Sequence, residues 1–214
     1  MAHKDLIDAL IEDHGTLFSE EIGANIARDV PQQWFHWLEC AVLMSARISA
    51  ANAVQAARAL KDEGLTKPEA LRAANRQHLV AVLNRNGYAR YDSQGADYLR
   101  AAADLVGERH GDDLRKLRDE AGSGEGIREA LTGFKGIGQT GAGIFAREAQ
   151  IAWDALYPTV DGPEVDQAGK LGLPDDAQEL ADAAGSRERF TRLAAALTRV
   201  ALHGPSDRVK EAAE

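Results

Sequence analysis

Along this chain apolar positions recur at helical spacing and almost nowhere alternate. Phe190, Leu193, Leu197 and Val200 follow one another at three and four residues, and Ile144 and Ala152 with their neighbours do so less strictly. That period places apolar side chains on one stripe of a helix, so these segments are predicted to be amphipathic helices. Strand-like alternation is nearly missing. The prolines, Pro31, Pro68, Pro158, Pro163, Pro174 and Pro205, fall between the periodic segments, where a missing N–H does no harm. Ser123 or Glu125 is placed to start a helix after the AGSGEG loop, and Asp175 to cap one after Pro174. No internal repeat interrupts the pattern. The expectation is an all-α protein.

Composition narrows this further. A chain of 214 residues can bury one good core or two small lobes. Its hydrophobic content is 44%, yet no apolar run is long enough to span a bilayer. The N-terminus, MAHKDLIDALIEDHG, carries acids among its apolar residues and lacks a signal-peptide core, so the expected compartment is the cytoplasm and no membrane partner is expected. One cysteine excludes an intramolecular disulfide, and Cys40, within the apolar run Trp37 to Val42, reads as a small core residue. His14, His36 and His203 show no metal-ligand spacing, so no metal role is assigned.

The segment Leu131 to Gln150, LTGFKGIGQTGAGIFAREAQ, has the order helix, tight glycine turn, helix. Gly136 and Gly138 flank Ile137, which lets the backbone turn sharply and leaves amides free at the start of the second helix. Unpaired amides and the positive end of a helix dipole converging on one spot hold an anion well. The alternative is a glycine-rich connection that binds nothing.

This segment resembles the helix-hairpin-helix element of the DNA base-excision glycosylases related to endonuclease III. That family's hairpin reads hydrophobic-Pro-Gly-hydrophobic-Gly followed by a small residue; Phe134-Lys135-Gly136-Ile137-Gly138 and then Ala142 stand here. Further landmarks follow in the family's order. Leu43-Met44-Ser45-Ala46-Arg47 and the stretch GYARYDSQGADYL, from Gly87 to Leu99, precede the hairpin. Trp153, Tyr157 and Pro158 lead into Val160-Asp161, Leu171-Gly172-Leu173 lies ten residues beyond that Asp, and Leu202-His203-Gly204 comes near the C-terminus. The resemblance covers about residues 34 to 204.

The resemblance implies two helical lobes with a cleft between them: residues 1–30 packing with a C-terminal lobe of 158–214, and a central barrel of 31–157 carrying the hairpin element at about 124–156. It implies double-stranded DNA with a damaged or abasic site as partner, bound by a monomer through Lys135, Gly136, Ile137, Gly138, Gln139 and Gly141. Lys135, where the family often has Pro, adds a cation, or is a solvated turn residue. Hairpin carbonyls hold a monovalent cation in several relatives. The four-cysteine iron–sulfur cluster of many relatives cannot be built from one cysteine, and no other cofactor is expected.

For the chemistry, the resemblance makes Asp161 the catalytic carboxylate; its alternative is a helix N-cap ahead of Gly162-Pro163. Bifunctional relatives carry a Schiff-base lysine where Thr140 stands, and a hydroxyl cannot form that adduct, so lyase chemistry is not expected. Arg47 occupies the place of a residue that fills the hole left by a flipped base, or is a surface arginine at a helix end. Ser45, Tyr88, Tyr91, Asp92 and Gln94 are candidates for the pocket, although a Tyr at such spacing is more often core. Two features run against the family. The net charge is −9, where a basic footprint is usual. Glu164 and Asp166 add negative charge just after Asp161. The expected function is a monofunctional DNA glycosylase, with a non-catalytic DNA-binding module and a helical protein-interaction module as alternatives.

Overall fold

A computed structural model describes residues 2–214. It is helical throughout, with no strand among the described residues. The helices are α1 (Ala2–His14), α2 (Phe18–Glu21), α3 (Pro31–Met44), α4 (Ala50–Asp62), α5 (Pro68–Ala73), α6 (Arg76–Leu83) and α7 (Asp92–His110). They continue as α8 (Arg115–Ala121), α9 (Gly124–Thr132), α10 (Gln139–Ala149), α11 (Gly162–Lys170), α12 (Ala177–Ala184), α13 (Arg187–His203) and α14 (Asp207–Ala212). Pro31, Pro68 and Pro163 sit in the first turn of α3, α5 and α11 rather than between helices. A first-turn N–H has no partner within the helix, so the reason proline is tolerated is the same.

Two compact units emerge: one made of residues 19–145, the other of residues 1–18 with 146–214. These boundaries differ from the expected ones, and the hydrogen bonds explain why. Residues 19–30 are held by the following helices: Trp34 Nε1 donates to Asp29 Oδ1 at 2.7 Å, Asn25 N to Gln33 Oε1 at 2.6 Å, and Arg115 Nη1 to the Asp29 carbonyl at 2.8 Å. Residues 146–157 instead join the segment beyond them and the N-terminus. Gln150 Nε2 donates to the Thr159 carbonyl at 2.9 Å, and Phe18 N donates to Glu148 Oε1 at 2.7 Å.

The core of the 19–145 unit is built on α3. Trp34 and Trp37 are fully buried against Phe145, with ring centroids 6.1 and 6.4 Å away, and Trp37 Nε1 donates to the Phe145 carbonyl at 3.1 Å. An indole buried with its N–H satisfied adds apolar area without leaving an orphan donor. In the other unit the stripe Phe190, Leu193, Leu197 and Val200 of α13 is buried against Leu6, Ile7 and Leu10 of α1 and Leu180 of α12. Tyr157 meets Phe190 edge-on at 5.5 Å. Ser123 caps α9 by accepting from Gly126 N at 3.0 Å. Asp176, not Asp175, caps α12, accepting from Gln178 N at 2.8 Å and Glu179 N at 3.0 Å.

Candidate functional site

The turn between α9 and α10 is pinned from below and open above. Phe134 and Ile137 are buried, and Ile137 N donates to the Phe134 carbonyl at 3.0 Å, closing the turn. Gly136 has φ +93°, and a Cβ there would lie 2.3 Å from Tyr98 Cδ2, so both conformation and space require glycine. The Gly138 carbonyl accepts Ala142 N at 2.9 Å, which makes Gly138 the N-cap of α10. The amides of Gln139, Thr140 and Gly141 then fall in the first turn, where an α-helix has no carbonyl to offer them. Gly138 brings no capping oxygen, so these donors and the positive helix end stay available to an anion.

Of the residues expected to meet DNA, Lys135, Gly136, Gly138 and Gln139 are exposed on this turn, as is Thr140. Lys135 Nζ stands 5.6 Å from the centroid of the Tyr98 ring. Two of these residues can offer a ligand only their backbone. The Ile137 side chain belongs to the core and leaves only backbone to a ligand. Gly141 is buried: a Cβ on it would lie 2.2 Å from Ser45 Oγ, so its smallness lets α10 approach the end of α3.

Beside the turn lies a pocket of about 300 Å³, lined by Ser45, Arg47, Tyr91, Gln94, Tyr98 and Gly136, with Tyr88 in its wall. All belong to the 19–145 unit. Arg47 is exposed and Tyr91 half-buried. Tyr88 is a core residue whose hydroxyl donates to the Leu43 carbonyl at 2.9 Å, and burial pushes its phenol well above the usual range. The Ser45 hydroxyl is already committed to the Ala41 carbonyl at 2.7 Å. Asp92 does not line the pocket. It opens α7, accepting from Asn84 Nδ2 at 2.7 Å and from Ser93 N, and the Asn84 hydrogen bond holds its carboxyl below the usual range. Tyr98, whose hydroxyl accepts from Gln94 Nε2 at 3.0 Å, was not singled out from the sequence. The signal existed: Tyr91, Gln94 and Tyr98 fall three, four and seven residues apart, one face of a helix.

Asp161 belongs to the other unit and is the N-cap of α11. A capping box closes this start: the Asp161 carboxylate accepts from the third helical amide, and Glu164 Oε2 accepts from Asp161 N at 3.0 Å. The negative charge that Glu164 was expected to add beside Asp161 is held in an ion pair. Glu164 is 2% exposed, accepts from Arg147 Nη1 at 2.8 Å and from Thr198 Oγ1 at 2.6 Å, so its charge is neutralised where it stands. Asp166 is exposed. Among the described residues no group of His, Cys, Asp and Glu is arranged to hold a metal, and no helix is long and apolar enough to cross a membrane.

No protein-family model and no curated protein matches this sequence. Among solved structures the chain is similar to endonuclease III trapped in a covalent intermediate with DNA, an estranged-adenine complex, at 16% identity over 76% of this chain and 71% of that one, with a TM-score of 0.47.

Proposed function

We propose that this protein binds duplex DNA through the α9–α10 turn and acts there as a monofunctional base-excision glycosylase. The observation that carries the reading is the exposed turn in which Gly136, at φ +93°, and Gly138, an N-cap without a side chain, leave the first amides of α10 open to a phosphate. Lys135 adds a cation on the same exposed surface. Arg47, Tyr91 and Tyr98 offer a guanidinium and two phenol rings against which an unpaired base can stack.

Excision requires the damaged nucleotide to leave the stack, at a cost of a few kcal/mol that is least for a damaged or mispaired base. As the base departs, positive charge grows on the sugar, and the Asp161 carboxylate is the group assigned to stabilise it and to orient the attacking water. Thr140 cannot form a Schiff base, so the reaction ends at hydrolysis. The net charge of −9 opposes DNA and keeps the affinity modest, and the cationic contact at Lys135 makes it fall as salt rises. A second reading, a non-catalytic DNA-binding module, is favoured by one observation: the Asp161 carboxylate is engaged in a capping box.

The deciding experiment offers the protein duplexes carrying single uracil, alkylated, oxidised or mismatched bases and follows base release by wild type and by Asp161→Asn. At least one duplex should be cut by wild type, with release by Asp161→Asn lower by orders of magnitude and DNA affinity kept. Equal rates for the two proteins remove Asp161 from the chemistry, and binding without release by wild type leaves the non-catalytic module. No affinity for an abasic duplex even at low salt removes both readings. Borohydride in the presence of abasic DNA should trap no adduct; a trapped one would point to another amine, Lys135 or Lys170 first.

A further inference from the structure

A second recess, of about 470 Å³, lies in the 19–145 unit at the start of α3, lined by Gly23, Gln33, His36, Lys61, Thr66 and Lys67 among others. Most of its polar groups can donate, the amide oxygen of Gln32, whose Nε2 is spent on Thr66, being an acceptor among them. Lys61 Nζ is held on the Gly23 carbonyl at 3.0 Å, which occupies one of its three N–H groups. Glycine is required for that reach: Gly23 has φ +76°, and a Cβ on it would lie 2.2 Å from the Lys61 nitrogen. Gln33 Oε1 accepts from Asn25 N at 2.6 Å, which fixes the amide and leaves its NH₂ as the free end. The buried Thr66 hydroxyl accepts from Gln32 Nε2 at 2.7 Å and keeps its own proton to give.

The His36 ring forms a wall without joining in. Its Nδ1 faces Glu39 Oε2 at 2.8 Å and its Nε2 faces the Ile22 carbonyl at 3.1 Å, so both nitrogens are occupied. No carboxylate is among the lining residues. Lys67, at the N-cap of α5, is exposed. The first turn of the fourteen-residue α3, capped by Val30 without a side-chain hydrogen bond, adds its positive end. In a chain of net charge −9, two ammonium groups, an amide NH₂ and a hydroxyl gathered around one recess select an acceptor-only partner.

We infer that this recess is a phosphate-binding site, held ready by the Gly23–Lys61 contact and separate from the α9–α10 turn. The phosphate can belong to a small phosphorylated molecule or to a nucleic-acid backbone, and the ligand titrations below tell these apart.

The test is calorimetric titration of the full chain with inorganic phosphate and with pyrophosphate. Saturable binding is expected for both, tighter for pyrophosphate, and Lys61→Met and Lys67→Met should each weaken it about tenfold by removing a charge-assisted hydrogen bond. Lys67→Met should unfold at the wild-type temperature, since its side chain is exposed, so a loss of binding in that variant is not a loss of fold. An undamaged duplex that displaces pyrophosphate from the wild type assigns the phosphate to a DNA backbone, and a duplex that leaves it bound assigns it to a small molecule. No saturable binding of either anion by the wild type, or unchanged affinity in the Lys61→Met, Lys67→Met double variant, overturns the inference.

Discussion

The two glycines of the α9–α10 turn should respond in opposite ways to substitution. Gly136→Ala places a Cβ on a backbone at φ +93°, where an L-residue costs about 1–2 kcal/mol. It also drives that Cβ to 2.3 Å from Tyr98 Cδ2, so the ring must leave its place beside Lys135 and Gln94, adding roughly 1–3 kcal/mol of overpacking. Because Tyr98 is only half-buried it can swing outward, which puts the expected sum near the lower end, about 2–3 kcal/mol. Gly138→Ser meets nothing: no atom lies within 4 Å of its Cβ, and its φ is not left-handed. At an N-cap a serine oxygen can accept from the first-turn amides, so stability should change by no more than about 0.5 kcal/mol. Those same amides are the ones assigned to phosphate, so Gly138→Ser should nevertheless lose DNA affinity. Urea unfolding followed by tryptophan fluorescence suits the measurement, since Trp34 and Trp37 are fully buried in the unit that holds the turn. A Gly136→Ala midpoint equal to wild type, or a Gly138→Ser loss as large as that of Gly136→Ala, would refute the reasoning.

Other predictions concern buried carboxylates. Burial pushes the Glu39 carboxyl up to about 7, above its ordinary 4.5, so the folded protein holds a proton that the unfolded chain has released between those values. Stability should therefore fall as pH rises through that window, and Glu39→Gln should flatten that part of the slope in urea midpoints taken across it; an identical slope in both proteins removes Glu39 as its source. Glu164→Ala leaves the Arg147 guanidinium, 8% exposed, buried without its partner, and should destabilise by about 3–5 kcal/mol in urea unfolding followed by circular dichroism. A loss under about 1 kcal/mol would mean that water enters and replaces the carboxylate.

Helical class and the places where helices begin were legible because they depend on neighbours in sequence. The α13 stripe and the Ser123 cap are local, whereas Pro31, Pro68 and Pro163, read as lying between helices, fall just inside them, in the first turn. The cap of α12 shows the limit: Asp175 and Asp176 are equally able to accept from a helix start, and a one-residue shift in where α12 begins decides between them. The unit boundaries were not legible, because they follow side chains reaching across the chain, such as Trp34 to Asp29 and Arg118 to Asp29. At the turn Gly136 is required by its φ of +93° and by the closeness of Tyr98, whereas neither φ nor space demands a glycine at Gly138. The sequence could not say that Ile137 points inward, that Gly141 is spent on Ser45, or that Asp92 serves Asn84 and Ser93. Those facts depend on what a distant segment brings alongside.

The same distinction governs charge. A count of acids and bases suggests a surface hostile to phosphate, yet many of the acids are held by arginines. Asp112 takes both nitrogens of Arg72 at 2.7 and 2.8 Å, Asp113 is gripped by Arg115, Asp29 by Arg118, and Glu164 by Arg147. Near the turn, the carboxylate whose acidity Lys135 strengthens is Asp97, and Asp97 is already engaged by Arg76 Nε at 2.6 Å and Nη2 at 2.9 Å, which does most to hold its carboxyl low. Asp97 is thus paired with Arg76, and Lys135 lies over the ring of Tyr98. Exposed charges farther than about 8 Å are screened at physiological salt, so the field at the turn is set mainly by Lys135 and the first amides of α10. The remaining excess of acid repels an approaching polyanion, a repulsion that added salt screens, so it bears on the rate of encounter more than on the bound state.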